Sequence, residues 1–458
     1  MILLQQFHTL LERGWQTVFP QQRTRRRAIE HAVAFPCVMG RRTITRTLGA
    51  LGRSDHDWSA DYKLFSRSHW EADRLFEPVI DEYLDRFTKG PVVAAIDDTK
   101  LRKTGKKIKG ASWQRDPLSP PFHVNLIFGL RFLQVSLLFQ HHREGDYPAR
   151  AIPVRFQEAP VLKKPGKRAN DQDLKQYQRL KKEQNLSTQS LAVAQGLRAD
   201  LDRRGGADRL LLMVADGSFC NQTIFKAELE RTEIIARCRK DARLCFRAPA
   251  GERRKYDQQI FTPEQVREQK ETAWISIRVN LGGKKRLVRY KEVKEVLWKR
   301  GSGTRKLRLI VLAPVPYKLS KHSRTLYRRP AYFLSTDLVT STRLLVEACF
   351  DRWQIEVNHR DEKDLLGVGQ AQVWSEHSIP RHPALAVASY SMLLLAALQS
   401  FGPGRTSDYL LQPKWRKPSQ RPSLLDMVTL LRRDCDEASV STFLHQNFAK
   451  NLITYADT

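Results

Sequence analysis

The sequence predicts an α/β protein, and three observations lead to that prediction. Short runs rich in Val, Ile and Leu alternate with amphipathic stretches, as strands and helices of an α/β core do. Two of the apolar runs, "VVAAID" and "RLLLMVAD", end in an aspartate. The stretch from about 240 to 325 is β-rich, with period-two alternation in "WISIRVNL" and hairpin signals in "GGKK" and "GSGTRK".

The chain is strongly basic, which restricts its partners. Its 458 residues contain 79 Lys and Arg against 49 Asp and Glu, a net charge of +30. Such a charge predicts attraction to a polyanion, usually DNA or RNA. An acidic membrane surface is the competing partner, but the sequence has no apolar run of about 18 residues and no separate basic amphipathic helix. We therefore predict no membrane partner.

The six cysteines indicate a reducing compartment. They are far apart and form no CxxC pair, which argues against a zinc module. Free thiols are typical of the cytosol, so we expect a cytoplasmic protein.

The N-terminal part, residues 1–88, has the pattern of short helices separated by polar turns. It contains the basic run "QQRTRRRAIE" and a helix–turn–helix-like stretch, "GRRTITRTLGALGRSDHDWSADYKLFSRSHW". Interleaved Arg, Ser, Trp and Tyr suit contacts to phosphates and a visit to a DNA groove. A solvated helical bundle without DNA contacts is the alternative.

Strands dominate the next part of the chain. "PVVAAID" predicts a strand, "DTKLRKTGKKIKG" a basic loop, and "HVNLIFGLRFLQVSLLF" two strands around Gly129. Residues 161–204 predict a charged linker followed by a helix. Further buried strands are predicted at 209–216, 232–238 and 331–337.

Helices dominate the remainder. A long helix is predicted from Ser341 through "RLLVEACFDRWQIEVNHRDEKDLL". The segment "ALAVASYSMLLLAAL" is apolar but short and mixed for a membrane span, so we predict a core helix. A linker rich in Pro and Arg and one amphipathic helix end the chain.

Three carboxylates are predicted to meet at one site. Asp97 and Asp216 each end an apolar strand, and strand ends converge at one edge of an α/β sheet. Glu356 lies on the long helix, four residues after Arg352 and seven before Lys363. At about 3.6 residues per turn, these three side chains share one helix face.

Three converging carboxylates repel each other, and a divalent cation relieves that repulsion. Oxygen ligands favour Mg²⁺ or Mn²⁺, and a pair of such ions suits in-line phosphoryl displacement. Asp98 is expected beside the site as a cap or hydrogen-bond acceptor. Each signal alone has a simpler interpretation, because aspartates often cap turns and an Arg–Glu–Lys stripe is often a salt-bridged, solvated face.

Several cations near these acids are candidate DNA contacts. The loop "LRKTGKKIKG" follows Asp97 and places Lys103, Lys106, Lys107 and Lys109 within reach of phosphates, although a merely solvated loop is the alternative. Beside Glu356, His359 and Arg360 are also predicted DNA contacts. A core role is the alternative for His359, and a metal-ligand role is disfavoured because no partner ExxH motif exists.

The segments "AIDDTKLRKTGKKIKG", "VADGSFCNQTIF" and "RWQIEVNHRDEK" together resemble a DDE transposase of bacterial insertion sequences, in the group marked by a Tyr–x2–Arg–x3–Glu–x6–Lys signature. The resemblance covers roughly 91–370 and, more weakly, 1–90. It implies an RNase H-like core with a β-rich insertion and a helical DNA-binding region. By this resemblance Asp97, Asp216 and Glu356 form the metal-binding triad, while Arg352 and Lys363 contact the transposon-end backbone.

Two further residues take their interest from the resemblance. The signature tyrosine falls at Cys349, so a tyrosine hydroxyl is missing at that position. Related transposases carry a tryptophan in the insertion that stacks on a flipped base, and Trp298 in "EVLWKRGSGTRK" is the candidate for that role. Packing on the sheet is the alternative for Trp298.

We predict five parts along the chain. They are a helical DNA-binding region at 1–88, the first part of the RNase H-like core at 89–239, the β-rich insertion at 240–328, the second part of the core at 329–400 and a helical tail at 401–458.

The predicted function is that of a cut-and-paste DNA transposase. It would bind terminal inverted repeats of double-stranded DNA, cleave at the transposon end and join the 3′-OH to target DNA, as a homodimer at the bacterial nucleoid. Two alternatives remain open. One is a non-catalytic, sequence-specific DNA-binding regulator derived from a transposase, and the other is a structure-specific RNase H-like nuclease.

Overall fold

The computed structural model describes residues 1–116, 119–120, 122–141, 147–166, 168–320, 322–417 and 419–437. The predicted α/β class is confirmed: helices surround a central mixed sheet, consistent with an RNase H-like core plus helical regions. The strands are β1 (Val92–Arg102), β2 (Ser112–Arg115), β3 (Leu126–Phe139), β4 (Arg150–Glu158), β5 (Leu211–Ala215), β6 (Thr232–Arg237), β7 (Ile275–Asn280), β8 (Lys285–Leu297), β9 (Lys306–Leu312), β10 (Pro316–Tyr317), β11 (Leu326–Tyr327) and β12 (Ala331–Ser335).

The helices precede, connect and follow these strands. They are α1 (Ile2–Gly14), α2 (Gln22–Cys37), α3 (Ile44–Ala50), α4 (Ser59–Ser66), α5 (Glu77–Arg86), α6 (Asp171–Glu183), α7 (Leu186–Arg203), α8 (Gln222–Lys226), α9 (Pro263–Glu268), α10 (Thr342–Asp351), α11 (Trp353–Arg360), α12 (Ser378–Phe401) and α13 (Leu424–Glu437). Single 3-10 turns occur at Ala72–Phe76 and Gly217–Phe219, and a π-helical turn follows α11 at Asp361–Leu365.

The sheet has a parallel centre and antiparallel flanks. Strands β1, β5 and β6 run parallel, and β3 pairs with β1 in the opposite direction. On the far side of β6 the sheet continues through β12, β9, β8 and β7, each antiparallel to its neighbour. Strands β7, β8 and β9 of the predicted β-rich insertion therefore extend the central sheet, while β10 and β11 pair with each other in a separate two-stranded sheet. The domain boundaries themselves stay a prediction.

Two strand predictions are wrong in their extent. β1 does not stop at Asp97 but continues to Arg102, and β3 is one strand rather than two around Gly129. The reason is close backbone contact between the two strands. A Cβ at Gly129 would lie 2.4 Å from the carbonyl oxygen of Leu101, so only glycine lets the pairing run on.

The two faces of the sheet are buried by different helices. Val93 and Ala95 of β1 point to the face covered by α10 and α11, where they share a hydrophobic cluster with Ile355. Alternate residues of β1 point the other way, into a larger core that contains the N-terminal helices and α12. Asp97 continues the Val93–Ala95 alternation and therefore faces α11.

Helix α12 is the apolar helix that we predicted at 384–398. Within the described residues it is the one helix long and apolar enough to cross a membrane by composition. The protein itself buries 83% of its most apolar window. Such burial is what a core helix shows, so the prediction of a core helix is confirmed.

The long helix predicted from Ser341 is present with two irregularities. The Ser341 hydroxyl caps α10 by accepting a bond from the Leu344 amide at 3.4 Å. A turn at Arg352 separates α10 from α11, and the last turn is π-helical. π-Helical turns within helices often occur at functional sites.

The basic run on α2 is largely matched by acids. Arg25 lies 3.4 Å from Glu12, and Arg26 lies 3.0 Å from Glu30. Arg27 lies 3.4 Å from the buried Asp61. These pairs favour a packed-bundle role for the run, while DNA binding by residues 1–88 stays a prediction.

Candidate active site

The register of the central strands brings two predicted acids side by side. Ile96 of β1 pairs with Ala215 of β5 in parallel, so Asp97 and Asp216 are the next residues on neighbouring strands. Neighbouring strands lie about 4.8 Å apart. The two aspartates therefore stand side by side where β5 ends, although β1 continues past Asp97 and the strand-end prediction fails for that residue.

The surroundings of Asp97 disfavour its charged form. Burial and, second to it, the nearby Asp216 carboxylate together raise the pKa of Asp97 to about 7. Arg352 acts in the opposite direction, with its Nη1 atom 3.7 Å from Oδ2 of Asp97. The Asp98 amide also donates to Oδ1 of Asp97 at 2.8 Å. The site thus holds an acid that one more cation would stabilise as a carboxylate.

Asp216 has a local structural role as well. Its Oδ1 atom accepts bonds from the amide of Ser218 at 2.8 Å and from the Ser218 hydroxyl at 2.6 Å, which caps the turn Gly217–Phe219. The turn-cap interpretation of this aspartate is therefore correct. The same cap holds the carboxyl group at the sheet edge beside Asp97, so the two roles are compatible.

Glu356 joins the aspartates through Arg352. The Nη2 atom of Arg352 lies 2.7 Å from Oε1 of Glu356, four residues later on the same helical face. The same guanidinium contacts Asp97, so one cationic group connects the first and third predicted acids. Arg352 and Glu356 of the predicted stripe therefore contact each other, whereas Lys363 lies in the π-helical turn after α11.

A cavity of about 730 Å³ opens at this point, and we call it the carboxylate cavity. Asp216, Arg352 and Glu356 line it together with Cys349, the residue at the signature tyrosine position. Burial raises the pKa of the Cys349 thiol well above its usual range, so the thiol stays protonated. Cys349 therefore contributes packing and a weak hydrogen-bond donor rather than a charge.

The donor atoms suit a hard divalent cation, although they are not assembled around one. Within the described ranges, no three His, Cys, Asp or Glu side chains are close enough to hold a metal ion as they stand. Glu356 is bonded instead to the guanidinium of Arg352. Carboxylate oxygens are the ligands that Mg²⁺ and Mn²⁺ prefer, and burial first and the Asp216 carboxylate second raise the pKa of Asp97, which a bound cation would offset. The donor set fits such a metal by its chemistry, and Glu356 would have to turn from Arg352 to take part.

Lys363 lies close to the same acids. Burial lowers its pKa, and Glu362, Asp364, Asp97 and Asp98 act in the opposite direction. For Asp98, burial raises the pKa, while Arg131 and Lys100 lower it. Lys363 is therefore a cation at the sheet edge, on the side of Asp98.

One lysine of the predicted DNA-binding loop is misassigned. Lys103 is buried, and its ammonium donates to the carbonyl oxygens of Gly369 at 2.8 Å and Ala371 at 2.7 Å. Burial lowers its pKa to about 8. The ammonium ties two segments of the chain together and is not available to phosphates, so we withdraw Lys103 as a DNA contact.

The other three lysines of that loop are on the surface. Lys106 and Lys107 are exposed, and Lys109 forms an exposed ion pair with Glu376 at 2.6 Å. An exposed pair of this kind contributes little to stability and can exchange for a phosphate. These three lysines stay predicted DNA contacts.

His359 is also misassigned as a DNA contact. Its ring is buried beneath the helix, and its Nε2 atom has no hydrogen-bond partner within the described residues. Burial, Lys363 and Arg352 lower its pKa to about 3, so the ring is neutral. The core role is the correct one, because this face of α11 turns inward. Arg360 is exposed, pairs with Asp361 at 2.8 Å and stays a predicted contact.

Trp298 lines a second cavity, of about 940 Å³, which we call the Trp298 cavity. The ring packs edge-on against Phe225 at 5.9 Å, and a Cβ at Gly301 would collide with it. Trp298 is therefore half-buried and covers part of the core, as the packing alternative predicted. Its contact with DNA stays a prediction, supported by Lys299 and Arg300 on the cavity wall.

Two buried polar residues close to the acids were not predicted from the sequence. Gln134 of β3 pairs in register with Asp97 and is fully buried. Glu362 in the π-helical turn is also buried, and burial raises its pKa to about 8. The sequence contains one hint of this, an acid directly before Lys363, but an acid between charged neighbours is typical of an exposed helix face.

A comparison with protein families identifies the family of the chain. A family model described as DDE superfamily endonuclease matches residues 6–305, about two thirds of the chain, and includes both aspartates. No curated protein matches the chain. The family match ends before the helix of Glu356, so the geometry alone supports that residue. Enzymes of this kind generally use divalent metal ions. The chain therefore belongs to the DDE superfamily endonucleases, a family of the transposase and nuclease type that acts on DNA.

Proposed function

We propose that the protein is a cut-and-paste DNA transposase with its active site in the carboxylate cavity. It binds the inverted repeats at transposon ends, hydrolyses a phosphodiester there and joins the freed 3′-OH to target DNA. The observation that supports this most directly is that Asp97 and Asp216 directly follow the registered pair Ile96–Ala215, with Arg352 linking Asp97 to Glu356.

Asp97, Asp216 and Glu356 would hold two Mg²⁺ ions, with Mn²⁺ as a substitute, and the ions supply activation of the attacking oxygen and stabilisation of the departing one. The chain's own part is to keep these carboxylates close together in a half-buried cleft. The cap from Ser218 fixes Asp216, and the β1–β5 register fixes Asp97 beside it.

Arg352 has two roles in this proposal. In the DNA-free protein its guanidinium balances Asp97 and Glu356. When DNA enters, the guanidinium turns to a phosphate near the scissile bond, because Arg binds phosphate through charge-assisted hydrogen bonds. Lys363 contributes a second cation at the sheet edge. Both residues position the strand rather than bind metal.

The remaining surface cations hold the rest of the duplex. Lys106, Lys107, Lys109 and Arg360 are exposed near the site. Trp298 with Lys299 and Arg300 offers a contact farther along the DNA. Two ends must be held together for joining, so we propose a homodimer on DNA, acting at the nucleoid in the bacterial cytoplasm.

A strand-transfer assay tests this function. The purified protein is given a radiolabelled DNA end that is already cut, a supercoiled target plasmid and Mg²⁺. A transposase produces plasmid covalently joined to the label, and EDTA abolishes the product. An uncut end in a parallel reaction reports cleavage.

Other outcomes point to the two alternatives. Cutting without joining, with preference for RNA or branched DNA, would indicate a structure-specific nuclease. Sequence-specific binding without cutting in either Mg²⁺ or Mn²⁺ would indicate a regulator.

A further inference from the structure

We propose that helix α6 is the contact between two copies of the chain, in which two α6 helices pack side by side in opposite directions. This inference rests on the proposed function, which needs two copies on DNA, and it names the surface through which they meet. Helix α6 spans Asp171–Glu183 and connects β4 to α7.

Helix α6 stands apart from the core. It is the one α-helix, among those that the structure describes, without a buried residue. A helix of 13 residues is marginally stable by itself in water, and most helices of proteins are stabilised by covering an apolar face. An apolar face that stays uncovered on such a helix therefore indicates a partner.

Local interactions specify α6 in spite of its exposure. The Asn170 side chain caps the first turn by accepting a bond from the Asp173 amide at 2.7 Å. The acids of the first turn, Asp171 and Asp173, and the cations of the last turn, Lys181 and Lys182, match the helix dipole. The helix therefore forms without a partner and presents a defined surface to one.

One side of α6 is apolar. Leu174, Tyr177 and Leu180 follow each other at intervals of three residues, which places them along one side of the helix. All three are exposed or partly exposed. Asp173 and Lys181 stand at the two ends of this stripe, and we call the five residues together the α6 face.

The other cations of α6 lie on the opposite side. Lys175, Arg179 and Lys182 are spaced by four and three residues, so they share one side of the helix, away from the α6 face. Arg179 forms an exposed ion pair with Glu183 at 3.8 Å. Two helices that meet through the α6 face therefore keep these cations apart.

The sequence of α6 is self-complementary about Tyr177. In "DLKQYQRLK", leucine mirrors leucine, glutamine mirrors glutamine and a cation mirrors a cation, while the acid Asp173 mirrors the cation Lys181. An antiparallel pair centred on Tyr177 thus places Leu174 of each copy against Leu180 of the other. It also places Asp173 of each copy against Lys181 of the other. A two-fold interface requires this kind of self-complementarity.

The two end charges of the α6 face are available to a second copy. Asp173 and Lys181 are exposed, and neither forms an ion pair within the part of the chain that the structure describes. By symmetry the pair contains two Asp173–Lys181 contacts. A parallel arrangement would instead place Asp173 beside Asp173, so the charges favour the antiparallel one.

The size of the α6 face limits how tightly two copies hold each other. A standard interface between proteins has about 20–30 residues a side. The α6 face has five, so the paired state is a minority in the free protein. Binding of two copies to one DNA raises their local concentration and populates the pair, as multivalent binding does.

A disulfide trap tests the inference even for a weak pair. The full-length Tyr177→Cys protein is treated with oxidised glutathione in EDTA without DNA, and a non-reducing gel follows the covalent dimer. Position 177 meets its own counterpart at the centre of the antiparallel pair, so this dimer should form. Leu174→Cys lies on the same face but about 9 Å from its counterpart along the axis. It should not be trapped, because a disulfide needs Cα atoms within about 7 Å.

Exchange of the end charges tests the pairing in the Tyr177→Cys protein. Adding Asp173→Lys or Lys181→Asp turns two attractive contacts into repulsive ones, so each should slow the trap by about 5- to 30-fold, the effect expected of two exposed ion pairs. Adding both restores the two contacts with reversed signs and should restore the rate. A loss of helix stability does not explain such a rescue, because both exchanges oppose the helix dipole.

The wild-type protein gives the background of the trap. Its Cys220 and Cys349 are partly exposed, and its other four cysteines are buried. The same reaction on the wild type should therefore yield little covalent dimer. Thermal unfolding checks that every variant folds.

Three results would overturn the proposal. The first is equal trapping of folded Tyr177→Cys and Leu174→Cys, as random collisions would give. The second is a trap that ignores the charge exchanges, while Asp173→Lys strengthens and Lys181→Asp weakens binding of a random-sequence duplex, which would assign the α6 face to DNA. The third is co-sedimentation with phosphatidylserine vesicles that Leu174→Ser abolishes, which would assign the face to a membrane.

Failure of the proposed function would look different. A protein that is trapped at position 177 as described but never cuts or joins DNA in Mg²⁺ contradicts the transposase and keeps the α6 contact. A protein that cuts and joins DNA but is not trapped at position 177 keeps the transposase and places the contact between copies elsewhere.

Discussion

The carboxylate cavity and the Trp298 cavity contain similar side chains and yet differ in electrostatics. Both have arginines, aromatic rings and an aspartate on their walls. Asp97 stands beside Asp216 of the first cavity without lining that cavity, and burial and the Asp216 carboxylate raise its pKa to about 7. At the second, hydrogen bonds from Arg239 lower the pKa of the exposed Asp241. Asp97 is buried beside a second carboxylate and is only partly balanced by Arg352, whereas Asp241 is exposed and paired with Arg239.

This difference in burial and neighbouring charge indicates which aspartates take part in catalysis. A carboxylate that is paired with arginine in water costs the fold nothing and needs no ligand. A buried carboxylate beside another one persists at the expense of stability, which is common at functional sites. Residue type and cationic surroundings do not separate these cases, whereas burial and the neighbouring charge do.

The largest expected effect on DNA cleavage is the difference between two variants, each with one cavity aspartate replaced by asparagine. Asp216→Asn keeps the cap on Ser218 but removes a charge from the metal ligands, so DNA cleavage should fall by roughly 10³-fold or more while DNA binding persists. Asp241→Asn should leave cleavage unchanged. Gel assays of cleavage and of binding measure both. Comparable losses in the two variants would remove the distinction between the cavities.

Trp298→Ala separates packing from DNA contact at the second cavity. The ring covers Phe225 and Gly301, so its loss should lower the free energy of unfolding by about 2 kcal/mol, less than for a fully buried tryptophan. Chemical denaturation measures this change. Trp298→Phe should recover most of the stability. A stable Trp298→Ala protein that has lost only end processing would instead favour the base-stacking prediction.

Glu362→Gln tests how burial alone destabilises a charged carboxylate. Between pH 4.5 and about 8 the unfolded chain has lost this proton and the folded protein keeps it, so stability falls as pH rises through that window. Glutamine does not titrate, so it makes no pH-dependent contribution to stability in this window. The variant should gain on the order of 1 kcal/mol or more over the wild type at pH 8, and little at pH 4.5. Thermal unfolding at both values checks this, and an equal gain at each pH would contradict it.

The sequence predicts the parts of the site that depend on local periodicity. The apolar runs before Asp97 and Asp216 predict neighbouring strands, although β1 continues past Asp97, and helical spacing places Arg352 and Glu356 on one face. These relations need only one or two elements each. The family resemblance then indicated that separate elements belong to one site.

What the sequence could not predict depends on packing between distant segments. Lys103 resembles its neighbours Lys106 and Lys107 in the sequence, and only the approach of residues 369–371 buries it. His359 is buried for the same kind of reason, because α11 turns that face toward the sheet. The continuation of β1 past Asp97 depends on a glycine in another strand.

The central claim is that three distant acids form one metal site from which Arg352 must withdraw. Isothermal titration calorimetry of Mn²⁺ binding to the DNA-free protein tests this claim directly. The account predicts that Asp97→Asn, Asp216→Asn and Glu356→Gln each weaken Mn²⁺ binding, whereas Arg352→Ala preserves or strengthens it because Glu356 is released. Unchanged Mn²⁺ affinity in the three acid variants, or loss of affinity in Arg352→Ala, would contradict it.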